Sequence, residues 1–250
     1  MNLNTLTRTA LAALLALPLT LSACGDKCPA PEQAAACPVS DKTAALPAAK
    51  DGKSTVAEDG TIVLPVPDKE GGAPLMKAIS DRKSSRAYSP KMISDQELSD
   101  LVWVAAGINR PEKGGITIPT AMGSKEIDVY VMTREGVFFY KPENHQLVPV
   151  VKGDHRNIAG KQEFAAQAPV TLFLVADEAR MKAKDDEAKK SFGSMTAAYA
   201  SENIYLYCAS KGLSTVARAA IDKAALGELL KLRPEQKLLL AQSVGYAPEG

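Results

Sequence analysis

The stretch ASENIYLYCASKGLSTVARAAID (residues 200–222) joins a long helical pattern to a short extended segment, and this junction decides the fold. The helical pattern begins near residue 187 and ends at Lys211, before Gly212, a residue typical of helix ends. Its apolar residues fall on two sides, with Phe192, Met195, Tyr199 and Leu206 on one and Ala197, Ile204 and Cys208 on the other. A helix that is apolar nearly all round is buried, so we expect the core or a second subunit to cover it.

Segments on both sides of this junction alternate between helical and extended patterns. Downstream, Asp222 begins a predicted helix, and QKLLLAQSVGY (236–246) is a predicted last strand. Upstream, the continuous apolar run APVTLFLVAD (168–177) is typical of a central strand. Residues 127–134 alternate in polarity, which predicts a strand with one buried face, and residues 135–150 predict two further strands joined by a turn.

Two helices are predicted near the start of the domain. APLMKAISDR (73–82) is a short helix, and Ser94 forms a capping box with Glu97 that begins a second helix, which Gly107 ends. Helices and strands thus interleave along the chain, with hairpins among them. This order predicts an α+β domain in which helices pack on a sheet, and we place the domain at residues 69–250.

The first 24 residues, MNLNTLTRTALAALLALPLTLSAC, combine one early cation with a short run rich in Leu and Ala. Because the run is short and stands at the start of the chain, we interpret residues 1–23 as a signal peptide. Leu21-Ser22-Ala23-Cys24 resembles the lipobox of bacterial lipoproteins. The resemblance implies that Cys24 is lipidated and that the protein is a lipoprotein of the cell envelope, anchored to a membrane and facing the periplasm or the cell exterior. A plain cleavage site and an uncleaved anchor are the alternatives.

Residues 24–68 are rich in Ala, Pro, Asp, Lys and Gly and contain few large apolar side chains. Such a segment buries too little surface to order itself, so we expect a flexible tether between the membrane and the domain. Cys28 and Cys37 lie in this tether, where a disulfide and two free thiols are both open interpretations. Cys208 lies in the long helical pattern and is interpreted as a small buried hydrophobic residue.

The charge balance and the histidines exclude two classes of partner. The net charge is +1 and the chain has one Trp and five Phe, which argues against a nucleic-acid-binding surface. His145 and His155 fall in polar stretches, and neither stands at ligand spacing to a cysteine. We therefore predict no metal site and interpret both histidines as surface residues.

The segment DRKSSRAYSP (81–90) concentrates cations and hydroxyls directly after the first helix. If it is extended, Arg82, Ser84 and Arg86 share one face, and Lys83 lies with Ser85 on the other. Two guanidinium groups and a hydroxyl on one face suit a phosphate, because arginine donates paired, charge-assisted hydrogen bonds. Taken alone, the segment fits a solvated basic turn equally well.

Four further motifs follow this basic segment in a fixed order: LVWVAAGINRP (101–111), TIPTAMG (117–123), the junction at 200–222 and LLLAQSVGYAP (238–248). Together with an Arg-x-Ser-x-Arg element at residues 82–86, they resemble the nitroreductase family of FMN-dependent oxidoreductases, over residues 73–246. The likeness is nearest to the branch of the thiazoline and oxazoline dehydrogenases. The resemblance implies a nitroreductase-like mixed, mainly antiparallel sheet flanked by helices, in an intertwined homodimer.

The resemblance also implies roles for individual residues around FMN. The FMN phosphate and ribityl chain would be held by Arg82, Lys83, Ser84 and Arg86. The isoalloxazine would be lined, from the partner subunit, by Pro119, Thr120 and Ala121. A backbone N–H of Ala219 or Ala220 would pass close to the flavin N5 edge.

Four departures from the family pattern bear on FMN binding. Ile116 stands where close relatives often place a cation, so we expect one flavin contact to be lost. Thr120 replaces the usual serine and keeps its hydroxyl. Ala219 and Ala220 stand where glycine is common, and a Cβ there crowds a backbone approach. The basic C-terminal residues of many relatives have no counterpart before Gly250, and we expect Arg218 to compensate in part.

The function that the resemblance implies is hydride transfer through flavin N5, to or from a small organic substrate of the nitroaromatic, quinone or azoline type. An exported protein does not meet cytoplasmic NAD(P)H, so we expect another electron donor. No catalytic protein residue is predicted, because Tyr88, Tyr199 and Tyr205 are interpreted as core residues. The alternative is a non-catalytic lipoprotein of the same fold that binds a flavin or another planar ligand.

Overall fold

A computed structural model describes residues 52–249 of the chain. The predicted signal peptide, the lipidation of Cys24 and the pairing of Cys28 with Cys37 lie outside the described residues. Among residues 52–249, no helix combines the length and the apolar character needed to cross a bilayer.

The described residues form ten strands and five α-helices. The strands are β1 (Thr55–Val56), β2 (Ile62–Val63), β3 (Ile108–Arg110), β4 (Gly115–Ile116), β5 (Ile127–Met132), β6 (Gly136–Lys141), β7 (Gln146–Lys152), β8 (Val170–Asp177), β9 (Leu213–Arg218) and β10 (Gln236–Tyr246). The helices are α1 (Leu75–Asp81), α2 (Asp95–Ala106), α3 (Glu163–Gln167), α4 (Asp186–Lys211) and α5 (Lys223–Leu229). Eight strands form one sheet in the order β1-β2-β7-β6-β5-β8-β10-β9, and β3 pairs with β4 separately. The α+β prediction is confirmed, and every pairing in the large sheet is antiparallel.

The centre of the sheet is buried on both faces. All eight residues of β8 are buried, as the continuous apolar run predicted. β5 is also buried at all six positions, whereas its alternating pattern predicted one buried face. The reason is that Ile127, Val129 and Val131 pack in the core that contains α2 and α4, while Tyr130 and Met132 pack in a second core that contains α5.

The long helix α4 packs against the sheet and against α1 and α2, and it leaves part of its second apolar side exposed in the described chain. Asp185 caps its first turn by accepting from the N–H of Ala188, and Gly212 ends it in the left-handed conformation at φ 72°. Ala197, Ile204 and Cys208 are fully buried, whereas Met195 and Tyr199 are 46% and 48% exposed. The core therefore covers only one of the two predicted apolar sides.

The domain begins earlier in the chain than predicted. β2 pairs with β7 in the register Ile62 with Leu147, and Val63 and Leu64 are buried. Residues 55–66 thus belong to the folded domain, and the predicted tether boundary at residue 68 is wrong for them. The apolar run TIVLPVP (61–67) supplies enough buried surface to join the sheet, although it is short and follows a polar segment.

Candidate cofactor site

The basic segment 82–86 lies along the open edge of β9. β9 is the last strand of the described sheet and has only β10 as a strand neighbour. The N–H of Ser85 donates to the carbonyl of Thr215 at 2.9 Å, and the hydroxyl of Tyr88 donates to the carbonyl of Ser85 at 3.2 Å. The segment therefore covers backbone groups that an edge strand otherwise exposes.

The side chains of this segment alternate as an extended chain requires. The Arg82 guanidinium lies 5.3 Å from the centre of the Tyr205 ring, and Ser84 Oγ lies 2.9 Å from Tyr205 Oη. Lys83 and Ser85 line a neighbouring cavity of about 460 Å³ that Tyr205 also lines. Ser84 is thus close to Arg82 on one side of the segment.

The cations of this segment are available to a ligand. Lys83, Ser84 and Arg86 are exposed, and Arg82 is half-buried. Within residues 52–249, no salt bridge involves Arg82, Lys83 or Arg86. Three uncommitted cations beside an exposed hydroxyl fit the phosphate of FMN.

Tyr205 connects the basic segment to β9. Its side chain projects from α4 and is 9% exposed. Its hydroxyl accepts from the N–H of Ala217 at 2.9 Å and also meets Ser84 Oγ. The sequence indicated Tyr205 only as a core residue. Its contact with the basic segment could have been suspected only because a buried tyrosine hydroxyl needs a hydrogen-bond partner.

The backbone after β9 is accessible, whereas the side chain of Arg218 is not. Ala219 and Ala220 are exposed. Arg218 is 6% exposed, and its Nη1 and Nη2 donate to the carbonyl of Ala159 at 3.0 Å and to Ser243 Oγ at 2.9 Å. Its Nε has no partner among the described residues, and burial lowers the pKa of the guanidinium. Both Nη groups therefore already have internal acceptors, while the cations of residues 82–86 face outward.

The loop Pro119–Ala121 lies on another part of the molecule. It follows β4, and the Asn203 side chain on α4 donates to the carbonyl of Thr117 at 3.4 Å, just before the loop. Asn203 and Tyr205 are two positions apart, so their side chains leave α4 about 200° apart. The α4 side chains that contact the residue before this loop and the basic segment therefore point in different directions.

Large apolar side chains are exposed near both groups of residues. Next to the basic segment, α1 exposes Leu75, Met76 and Ile79 by 63%, 74% and 48%. Near the loop, Met122 is exposed, and Met195 and Tyr199 are exposed on α4. Tyr199 is thus not a core residue of the described chain, contrary to the prediction.

His145 is half-buried with a hydrogen-bond partner on each ring nitrogen, which corrects its prediction as a solvated surface residue. Its Nδ1 lies 2.9 Å from Tyr140 Oη, and its Nε2 lies 2.7 Å from Ser99 Oγ. Burial lowers the pKa of His145 to about 4. His155 is half-buried, and its Nε2 lies 3.0 Å from the carbonyl of Lys152.

Tyr88, Cys208 and the two polar residues of the motif at 101–111 make no contact among the described residues that indicates a chemical role. Tyr88 is buried, and burial raises the pKa of its hydroxyl. Asn109 and Arg110 are exposed on β3, where Arg110 donates to the carbonyl of Ile116 at 3.2 Å. Cys208 is a free, fully buried thiol, which confirms its interpretation as a small core residue. Within residues 52–249, no three His, Cys, Asp or Glu side chains are grouped to hold a metal ion.

Comparison with known proteins gives the family. The model of the Nitroreductase family matches residues 79–246. The protein named "Putative nitroreductase MJ1384" from Methanocaldococcus jannaschii is 30% identical over 190 residues, which cover 72% of this chain and 95% of that protein. The crystal structure of a "putative nitroreductase" from Ralstonia eutropha JMP134 is 36% identical with a TM-score of 0.73, and the match covers 80% of this chain and 95% of that one.

A third structure agrees in fold. It is a "putative nitroreductase in complex with FMN" from Desulfovibrio desulfuricans, 20% identical with a TM-score of 0.52, and the match covers 71% of this chain and 88% of that one. The family match spans most of the described domain, and two relatives at 30% identity or more are covered over nearly their full length. The chain therefore belongs to the nitroreductase family of oxidoreductases.

Proposed function

We propose that the protein is an FMN-dependent oxidoreductase that holds the FMN phosphate with Arg82, Lys83, Ser84 and Arg86. The observation that carries the proposal is the set of three cations on one segment that have no salt-bridge partner among the described residues. Ser84 adds an exposed hydroxyl to this set. Arginine forks, an ammonium and a hydroxyl together match the oxygens of a phosphate dianion.

The rest of this half of the site is the accessible backbone after β9. Ala219 and Ala220 are exposed at the end of a strand that the basic segment itself covers. A planar ring anchored at residues 82–86 would reach this backbone, which offers N–H groups without competing side-chain charge. When bound, FMN supplies hydride transfer at N5. The chain supplies the binding and orientation of the flavin and of a nitroaromatic, quinone or azoline substrate.

We propose a homodimer in which each cofactor site is shared between subunits. The proposal is supported by the contacts of the two groups with α4: Thr117, just before Pro119, meets Asn203, and Ser84 meets Tyr205, whose side chain leaves the helix in a different direction. The exposed apolar side chains of α1 and α4 support it as well. Three large apolar side chains exposed on one short helix, as on α1, are typical of an interface.

The proposed location rests on the sequence alone. A lipid on Cys24 would hold the domain at the cell envelope, away from cytoplasmic NAD(P)H. The electron donor would then be the substrate itself, as in azoline oxidation, or a membrane redox carrier. Replacing Cys24 by Ser should move the protein from the membrane fraction to the soluble fraction. Continued sedimentation of the variant with membranes would reject lipidation.

The cofactor proposal is tested by purifying the chain with and without added FMN. We expect a yellow protein with a flavin absorption spectrum that bleaches with dithionite and recovers on addition of a quinone or a nitroaromatic compound. A flavin that is reduced but passes no electrons to either acceptor would favour the non-catalytic alternative, which the Cβ atoms of Ala219 and Ala220 make worth testing. A protein that neither retains FMN nor melts at a higher temperature with it would reject both.

A further inference from the structure

We propose that Tyr205 is a positioning residue whose hydroxyl couples the phosphate-binding segment to β9. It does so through a directed chain of hydrogen bonds from the N–H of Ala217 to Tyr205, from Tyr205 to Ser84, and from Ser84 to the bound anion. This inference rests on the proposed function, because the anion is the phosphate of FMN. The described contacts that carry it are the two 2.9 Å distances from Tyr205 Oη to Ser84 Oγ and to the nitrogen of Ala217.

The direction of the chain follows from the number of hydrogens on each group. The amide of Ala217 only donates, so it occupies a lone pair of Tyr205 Oη. Tyr205 and Ser84 each carry one hydroxyl hydrogen, and one of the two fills the contact between them. If Tyr205 donates, the hydrogen of Ser84 is free for an anion. If Ser84 donates, it presents only lone pairs to the anion, which is repulsive.

An anion at Ser84 therefore selects the arrangement in which all three donors point the same way. Hydrogen bonds in such a chain polarise one another and strengthen together, particularly where water is excluded. Tyr205 is nearly buried, so water competes little for its hydroxyl. Binding of the phosphate should then shorten and strengthen the bond from Ala217 to Tyr205.

The position of Tyr205 is fixed by its surroundings. Its helix α4 is anchored by Ile204 and Cys208, which are both fully buried in the core. Above its ring lies the Arg82 guanidinium, 5.3 Å from the ring centre. A ligand group supported on a rigid element in this way needs little reorganisation on binding.

The consequence is that binding of the FMN phosphate at Ser84 is coupled to the order of the backbone of β9 near the flavin ring. Ala217 stands two residues before Ala219, where the flavin ring is proposed to lie. A ligand with a phosphate should order this part of β9, and the same ring without a phosphate should not. FMN and riboflavin differ by this phosphate and so form a matched pair of probes.

The experiment measures the Kd of FMN and of riboflavin for the full chain and for Tyr205→Phe, by the change in flavin absorbance and fluorescence. We expect the variant to bind FMN about 10-fold more weakly, because Ser84 loses the donor that directs and polarises its hydroxyl toward the anion, and riboflavin within about 2-fold of the unchanged protein. Tyr130→Phe serves as the control, because Tyr130 lies in the second core on the other face of the sheet, and it should change neither value.

A double variant tests the coupling directly. Ser84→Ala should weaken FMN binding, and the addition of Tyr205→Phe should weaken it no further, because both variants break the same chain. Equal losses for FMN and riboflavin in Tyr205→Phe, or fully additive losses in the double variant, would overturn the inference and leave the proposed function intact. A chain that binds neither flavin would overturn both.

A second measurement does not depend on the folding of Tyr205→Phe. Hydrogen exchange of the peptide that contains Ala217 should slow more with FMN than with riboflavin in the unchanged chain. In Ser84→Ala, this difference between the two ligands should disappear. Its persistence in Ser84→Ala would reject the chain.

Discussion

A segment from the N-terminal part of the domain lies at each end of the eight-stranded sheet: β1 and β2 are the last strands at one end, and the basic segment lies along β9 at the other. A hydrogen-bonded group of side chains contacts each segment. At the β2 end, Ser99 contacts Pro65, just after β2, and is itself hydrogen-bonded to His145. Ser99 Oγ donates to the carbonyl of Pro65 at 2.6 Å, so it must accept from His145 Nε2, which leaves Nδ1 to accept from Tyr140. At the β9 end, Tyr205 holds the basic segment through Ser84.

The two ends of the sheet differ in whether their polar side chains have hydrogen-bond and charge partners within the protein. At the β2 end, the side chains of Tyr140, His145 and Ser99 form a group in which each polar hydrogen has an acceptor. These side chains therefore need no ligand to satisfy their hydrogen bonds. At the β9 end, Tyr205 and Ser84 carry two hydroxyl hydrogens and only one of them fills the contact between them. The cations of Arg82, Lys83 and Arg86 have no salt-bridge partner within residues 52–249. A polar group whose hydrogen bonds are all satisfied within the protein stabilises the fold. Cations and hydroxyls without a partner in the protein instead indicate a ligand site.

The largest expected effect is a loss of stability at the β2 end in acid. The pKa of His145 is about 4 in the fold, below its ordinary 6.5, so folding favours the neutral ring. Its contribution is fully present above pH 6.5 and is lost as the pH falls towards 4, by about 3 kcal/mol at most. Denaturant unfolding from pH 7 to 4 measures this loss, and His145→Gln should be less sensitive to pH. Parallel curves for the two proteins would contradict the assignment.

At the β9 end, Arg82→Ala combined with Arg86→Ala should remove much of the affinity for FMN. We expect a Kd about 100-fold higher, because two charge-assisted contacts are lost while the fold is retained. Flavin absorbance titration measures the change. Arg134→Ala is the matched control, since Arg134 is an exposed arginine paired with Glu135, and its Kd should not change. Unaltered FMN affinity in the double variant would show that the phosphate lies elsewhere.

A substitution at Gly245 of β10, next to β9, should lower the stability of that end of the sheet without changing the cations of residues 82–86. A Cβ on Gly245 would lie 2.5 Å from Cδ of Pro169 and 3.2 Å from the ring of Tyr88, and the proline ring cannot move aside. We expect Gly245→Ala to lower the free energy of unfolding by about 2 kcal/mol, measured by urea denaturation. Gly227→Ala has no atom within 4 Å of the new Cβ and lies inside α5, so it should be stabilising instead. Equal stability of the two variants would mean that Pro169 and Tyr88 can move to accommodate the new Cβ at little cost.

Helix α2 is linked to both ends and offers the mildest test. Its Glu97 accepts from the Tyr246 hydroxyl at 2.7 Å, its Ser99 meets His145, and Ser94 caps it. Ser94→Ala should cost about 1 kcal/mol of stability, the usual value of a cap, and leave FMN affinity unchanged. Thermal melts and flavin titration on the same sample measure both. A change in FMN affinity would show that the two ends communicate through α2.

Local patterns in the sequence were enough to predict most of the large elements. The capping box at Ser94 and Glu97, the helix end at Gly212 and the strands β5 to β8 and β10 are confirmed, because each depends on residues a few positions apart. The short strands β1 and β2 were missed, since two residues of strand carry no periodicity. Their burial depends on the partner strand β7, which is remote in sequence.

The candidate site was predictable only in its charged part. The cations of residues 82–86 are visible as a cluster, but Tyr205 lies 121 positions from Ser84, and no local pattern joins them. His145 was placed on the surface for the same reason, because Ser99 stands 46 positions away. The buried guanidinium of Arg218 could not be foreseen either, since its acceptors come from a distant loop and a neighbouring strand.

The hydrogen bond from Ser85 to Thr215 has a consequence for handling the protein. The basic segment occupies the place where a further strand would pair with β9, and it is held there by few bonds. Whenever it detaches, β9 offers unpaired N–H and carbonyl groups to other chains, which is the usual start of edge-to-edge aggregation. Supply of the anion during expression and refolding should therefore govern how much soluble protein is recovered, before any turnover is measured.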